Sequence, residues 1–248
     1  MTASDSGGDP APIRGGVVLL HGFASLPPIM APMADRLSRA GFRTWAPFYP
    51  SWRLGLRQIV DRLEAPLSAF EAGLDGAPLH FVGHSMGGLV ARALIERRRP
   101  AAPGRLVMLG TPNGGSEIAD RLSDDRRLSR LVLGEAAPVL VTHHRDDLLA
   151  DLGRIDYPAG IIAGDRPLMP GPLAHWLPRP HDGKVSVAAT HVEGEADHLV
   201  LPLGHAVLPW HPTARDETLH FLLHGRFRHL RGSTAQNVPD MFDIESTA

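Results

Sequence analysis

The sequence predicts an α/β protein with a mostly parallel sheet and helices on both faces. Three observations lead there. Short apolar runs of strand length alternate with longer stretches of helical period. Several of those runs are apolar at every position, which suits strands buried on both faces. Another strand-like run, Leu79-His80-Phe81-Val82, leads into Gly83-His84-Ser85-Met86-Gly87 and then into a helix-like pattern. That pattern is Met86, Leu89, Val90, Ala93 and Leu94, at the i, i+3, i+4, i+7 and i+8 spacing of one helix face.

Taken in order, Gly16-Val17-Val18-Leu19-Leu20 is the first expected strand, ending at His21-Gly22-Phe23. Pro27 and Pro28 open an expected helix through Met33 and Leu37, and Gly41 stops it. Residues 42–48 read as the second strand. Leu56, Ile59, Val60, Leu63, Leu67 and Phe70 share one face of a helix, with Pro66 an expected kink. The third strand is 79–82 and the fourth is 105–109. Residues 112–155 carry no strand signal and several short helical patterns. Within them 116–155, the longest insertion between strands, reads as a cap. The fifth strand is 159–163, a Pro-rich loop follows over 167–181, and 198–203 is the sixth strand. Thr213 to Phe221 begins a last helix that Gly225 ends. The expected organisation is a flexible leader (1–14), a single domain (15–231) and a weakly ordered tail (232–248).

A chain of 248 residues is long enough for one sizeable core. Hydrophobic residues make up 43% and charged residues 21%, as in ordinary globular domains. The net charge of −2 gives no reason to expect nucleic acid or an anionic membrane as partner. The chain has no cysteine, which excludes disulfides, thiolate metal sites and a cysteine nucleophile. The first residues lack the basic and apolar regions of a signal peptide, and no apolar run has membrane-spanning length. The expected location is therefore cytoplasmic, with no stable membrane insertion.

The Gly83-to-Gly87 stretch is a G-x-S-x-G nucleophile elbow. A turn this sharp leaves no room for a Cβ on either side of the serine and holds the serine at strained φ/ψ. The serine Oγ is pushed clear of the sheet, at the N-terminus of a helix. The next backbone N–H can then face a developing oxyanion.

Further stretches complete a pattern: Leu19-Leu20-His21-Gly22-Phe23, Leu109-Gly110-Thr111-Pro112-Asn113-Gly114-Gly115-Ser116, His181-Asp182-Gly183-Lys184-Val185 and Leu203-Gly204-His205. With Gly83-His84-Ser85-Met86-Gly87-Gly88, the chain resembles an α/β-hydrolase, and within that fold the bacterial lipase and esterase branch, similar to triacylglycerol lipases. The resemblance spans almost the whole chain. The family's full sheet has eight strands, and only about a dozen residues precede the first strand here. The minimal version of about six parallel strands, lacking the first two, is therefore expected, with a helical cap after the fourth.

The resemblance implies a Ser-Asp-His chain order. Ser85 is the expected nucleophile. Among fourteen histidines, His205 follows the last strand and is the expected base. His21 is expected to brace its own loop, His84 to be a variable position of the elbow, and His198 to start a strand. The acid has two candidates. Asp182 matches the Asp-Gly-x-Val of similar lipases, and Asp165 follows the fifth strand, where other hydrolases of the fold carry theirs. Asp182 is the first choice and Asp165 the alternative, with Asp197 a distant third. The oxyanion hole is expected from the backbone N–H groups of Met86 and Phe23.

Large apolar residues of the strand-end loops, Leu26, Tyr49, Trp52, Pro112 and Trp176, are the expected pocket, suited to an acyl chain or small ester. No cofactor or metal is expected. His143-His144 with Asp146 and Asp147 is poorly spaced for one ion, because neighbouring helical residues point about 100° apart. The expected function is ester hydrolysis through an acyl-enzyme on a small-molecule ester or lipid. Two alternatives stand beside it: an acyltransferase or amide or glycolipid deacylase with the same triad, and an inactive hydrolase-fold binding protein.

Overall fold

The computed structural model describes residues 13–116, 150–168 and 174–229. Most of the expected leader and of the expected cap, the His143-His144 cluster and the expected tail lie outside the described residues.

The elements run β1 (Gly16–Leu20), α1 (Ala31–Ser38), β2 (Arg43–Trp45), α2 (Leu56–Ala72), β3 (Leu79–His84), α3 (Met86–Arg98), β4 (Pro103–Leu109), β5 (Ala159–Gly164), the short α4 (Val187–Thr190), β6 (Asp197–Leu201) and α5 (Pro212–His224). The six strands form one sheet in the order β2-β1-β3-β4-β5-β6, and every pairing is parallel.

Alternation along the strands builds two core layers. Val18 and Leu20 of β1, Phe81 of β3, Met108 of β4 and Ile161 of β5 face the layer containing α2 and α3. Val17 and Leu19, Val82, Leu109 and Ile162 face the opposite layer, with α1 and α5. Both faces are covered, which is why these strands read as unbroken apolar runs. α3 is buried from Met86 to Ile95 and is the central helix of its layer.

The differences from expectation lie at boundaries. β2 spans only 43–45 rather than 42–48. It is an edge strand that pairs with Gly16, Val17 and Val18 alone. Phe42 instead closes the turn after α1, its N–H donating to Leu37 O at 3.2 Å, and Pro47 has no N–H for a ladder. β6 covers 197–201 rather than 198–203, because Pro202 cannot donate to β5. α1 is entered through a 3-10 turn at Pro27–Met30. α2 runs unbroken through Pro66. Gly225 ends α5 in the left-handed conformation at φ 74°. Among the described residues, no helix is long and apolar enough to cross a membrane.

The strand order reverses at β1: the chain passes from β1 to β2 on one side and to β3 on the other. In open parallel sheets this switch opens a crevice at the carboxyl ends of the strands. The loops after β1 and β3 leave from that point.

Candidate active site

Ser85 sits between β3 and α3 at φ 55° and ψ −127°, a conformation strained for any side chain other than glycine. Crowding holds it there. A Cβ on Gly83 would lie 2.4 Å from Gly88 N, and one on Gly87 would lie 2.2 Å from Leu20 O. Ser85 N–H donates to Leu109 O at 2.8 Å, and Ser85 O accepts from the Thr111 hydroxyl at 2.9 Å. The elbow is thus tied to the end of β4. Its side chain stays partly exposed while its neighbours are buried.

The loop after β1 lies against this serine, since a Cβ on Gly22 would come within 3.0 Å of Ser85 Cβ. Two residues from beyond β2 fix the loop. Tyr49 donates its hydroxyl to His21 O and stacks on the His21 ring, with centroids 4.0 Å apart. Ser51 donates to Gly22 O at 3.2 Å and accepts from Ala24 N–H at 3.0 Å. With both carbonyls turned to these partners, Phe23 N–H has no acceptor among the described residues. Met86 is the first helical residue, where an N–H lacks an intrahelical partner. Burial lowers the pKa of His21, so the loop carries no charge there at neutral pH.

Asp182 and His205 meet at the ends of β5 and β6. His205 Nδ1 lies 2.7 Å from Asp182 Oδ2, and both side chains are almost fully buried. The other carboxylate oxygen accepts N–H bonds from Lys184 at 2.9 Å and Val185 at 2.8 Å. This turn needs Gly183, which sits at φ 101°. The carboxylate sets the neutral His205 with its proton on Nδ1 and a free lone pair on Nε2. Gly110 at the end of β4 packs on the pair: a Cβ there would lie 3.0 Å from Asp182 Oδ2 and 3.1 Å from His205 Nδ1. Ser85 is bonded to Leu109, and the pair rests on the next residue.

Asp165 makes no side-chain bond to His205. Its N–H donates to Leu201 O at 3.1 Å, and its buried Oδ1 has no hydrogen-bond partner among the described residues. Asp197 lies at the opposite end of β6, bonded to His229 Nε2 at 2.6 Å.

The expected pocket residues divide. Leu26 and Trp52 are exposed, as is Phe48, which the sequence reading missed; the Phe48 and Trp52 rings lie 6.3 Å apart. Trp176 is half-buried and packs on the same core layer as Phe23. Pro112 is buried beside Thr111. Tyr49 corrects the expectation: it is fully buried under the His21 loop and braces it, so it is no pocket wall. Ser51, Thr111 and His84 also touch the site framework without having been singled out for it. Their partners are distant in sequence, so no local pattern marks them. Among the described residues, no group of three His, Asp or Glu is placed to hold a metal ion.

A parallel sheet that switches direction at β1, with an elbow serine after β3, defines an α/β-hydrolase fold. The chain belongs to the alpha/beta hydrolase family, whose family model matches residues 17–236. Among solved structures it is similar to the mature form of lipase BlEst2 from Bacillus licheniformis, at 16% identity and TM-score 0.65, covering 87% of this chain and 93% of that one. It is also similar to the metagenomic carboxyl esterase MGS0156, at 18% identity and TM-score 0.63, covering 81% and 66%. A third is the monoacylglycerol lipase of Paleococcus ferrophilus, at 15% identity and TM-score 0.57, covering 86% and 96%. No curated protein matches the sequence.

Proposed function

We propose that the protein is a serine hydrolase that cleaves carboxylic esters through an acyl-enzyme. The observation that carries this reading is the buried Asp182–His205 pair, 2.7 Å apart, packed on Gly110 next to the Leu109 carbonyl that binds Ser85, itself held at φ 55°. Ser85 Oγ attacks the ester carbonyl as His205 Nε2 takes its proton. Asp182 keeps the proton on Nδ1 in place and stabilises the imidazolium that forms. The N–H groups of Phe23 and Met86 donate to the oxyanion. His205 returns the proton to the leaving alcohol, and water then resolves the acyl-enzyme by the same steps. The exposed apolar residues Leu26, Phe48 and Trp52 favour an ester or lipid with an apolar acyl group.

A fluorophosphonate probe tests the first step. Wild-type protein labels at Ser85, while Ser85→Ala does not label and His205→Ala labels far more slowly. Each variant loses on the order of 10⁴–10⁶-fold in kcat on an ester that wild type turns over. Unlabelled, folded wild type overturns the reading in favour of an inactive binding protein. A p-nitrophenyl ester series of rising chain length then sorts esterase from lipase. A labelled Ser85 with no ester turned over points to an acyltransferase or an amide or glycolipid deacylase.

A further inference from the structure

We propose that His84, the elbow residue before Ser85, is a positioning residue that holds the main chain of His205 through a side-chain hydrogen bond. The inference rests on the triad proposed above. His84 Nε2 lies 3.0 Å from His205 O, a contact spanning 121 residues of sequence. The two rings stand 4.9 Å apart at 43°. His84 is buried, and its backbone belongs to the last position of β3, so its ring is anchored to the same turn that holds Ser85.

The chemistry of the contact has one direction. A carbonyl only accepts, so His84 must donate from Nε2, which leaves Nδ1 as the bare lone pair. Nδ1 is buried without a hydrogen-bond partner among the described residues, on the side of Gly22, where a Cβ would lie 3.6 Å from it. Burial above all, and then the neighbouring His205, push the His84 pKa down to about 3, so the ring stays neutral at working pH. A neutral donor beside His205 leaves the positive charge of the imidazolium to Asp182 alone.

The contact completes a two-sided hold on the base. His205 N–H already donates to Asp182 O at 3.0 Å. With its carbonyl held by His84, both main-chain polar groups of His205 are fixed, one to the acid and one to the nucleophile's own turn. The loop after β6 then keeps its register on the elbow, and the base has only its side-chain torsions left to move. Small misplacements of a reacting group cost rate steeply, because the reaction needs near-attack geometry. A single imidazole thus couples the nucleophile's turn to the base, while its other face packs by the oxyanion loop.

The test compares His84→Leu, His84→Phe and His84→Gln, each measured as kcat and KM per serine titrated by the fluorophosphonate probe. Gln places a side-chain N–H at about the reach of Nε2, whereas Leu and Phe fill the volume without a donor. The expected result is a 10- to 100-fold loss of kcat for Leu and Phe, KM changed less than threefold, and recovery to within about fivefold of wild type in Gln. Leu or Phe protein keeping near-native kcat per titrated serine overturns the proposal, and so does Gln protein that folds but loses as much as they do. If Leu fails to fold, Phe and Gln still decide. An unlabelled wild type sinks the hydrolase reading itself, an outcome read before any variant is compared.

Discussion

Asp182 meets His205 twice: its carboxylate lies 2.7 Å from the ring Nδ1, and its main-chain carbonyl accepts the His205 N–H at 3.0 Å. One bond orients the ring and the other fixes the chain that carries it. Asp182 is therefore also a structural anchor of the loop after β6.

Asp182→Asn should keep the main-chain bond and lose the charge. A neutral amide offers either a donor or an acceptor to Nδ1 and no longer stabilises the imidazolium. The expected loss in kcat is about 10³–10⁴-fold, the scale set by the same change in a known triad, with little change in thermal midpoint. Asp165→Asn should stay within a fewfold of wild type. Steady-state ester hydrolysis by the two variants checks both, and a large loss in Asp165→Asn alone would move the acid to that residue.

Tyr49→Phe removes one hydroxyl from beneath the loop after β1, the loop proposed to carry one oxyanion donor. It leaves His21 O buried without its donor, at a cost of about 1–3 kcal/mol. For a chain of this size that lowers Tm by about 2–12 °C. The freed loop should also lower kcat more than it raises KM, because the hole acts on the transition state. Differential scanning fluorimetry with ester kinetics on the same preparation reads both effects. An unchanged kcat would separate the brace from the chemistry.

Gly87→Ala asks for space that backbone already fills. The new Cβ would stand 2.2 Å from Leu20 O and 2.7 Å from His21 O. Neither atom moves without shifting β1 or the oxyanion loop, so destabilisation should reach about 3 kcal/mol or more. Gly76→Ala is the comparison: its Cβ meets nothing within 4 Å, and its only cost is the strain of φ 82°. Urea titration of the two variants should separate them clearly.

Acid should weaken the fold through its buried neutral histidines. Burial, and secondarily the charge of Arg105, hold the pKa of His80 down at about 4, and its Nδ1 accepts the Arg105 N–H at 2.9 Å. Between the unfolded value near 6.5 and the folded value near 4, the unfolded chain binds a proton that the folded one does not. Stability therefore falls as pH drops through that window and levels off below it, with about 3 kcal/mol from His80. His84 acts with the same sign down to about 3. His80→Asn keeps an acceptor near the Arg105 N–H and does not titrate. Denaturation midpoints measured from pH 7 to pH 4 should fall less steeply for it than for wild type.

Most of the sheet was legible because burial on both faces writes an uninterrupted apolar run, as in β1 and β5. β2 was overread because an edge strand is defined by pairing. Trp45 still has a partner in Val18, and nothing local to Ala46 or Phe48 records that the chain leaves β1 there while β1 runs on to Leu20. Ser85 and His205 stand out because each follows a strand in a short glycine-marked motif, and Asp182 because Asp182-Gly183-Lys184-Val185 matches the Asp-Gly-x-Val of similar lipases. Tyr49 does not, since a large aromatic in a strand-end loop looks the same whether it walls a pocket or supports a loop. The difference lies in a hydroxyl reaching a carbonyl 28 residues away. His84 looks like a variable elbow position for the same reason, since its partner lies 121 residues away.

Ser85 follows β3 in the middle of the sheet, whereas His205 follows β6 at its far edge, more than a hundred residues later in the chain. Parallel strands need long crossovers, and contacts between distant segments form slowly. A chain with β1 to β4 assembled would possess its elbow and still lack Asp182 and His205. In a refolding experiment, far-UV circular dichroism should therefore recover ahead of probe labelling at Ser85. The lag between the two signals would time the docking of the last strand, making the serine a built-in gauge of completed assembly.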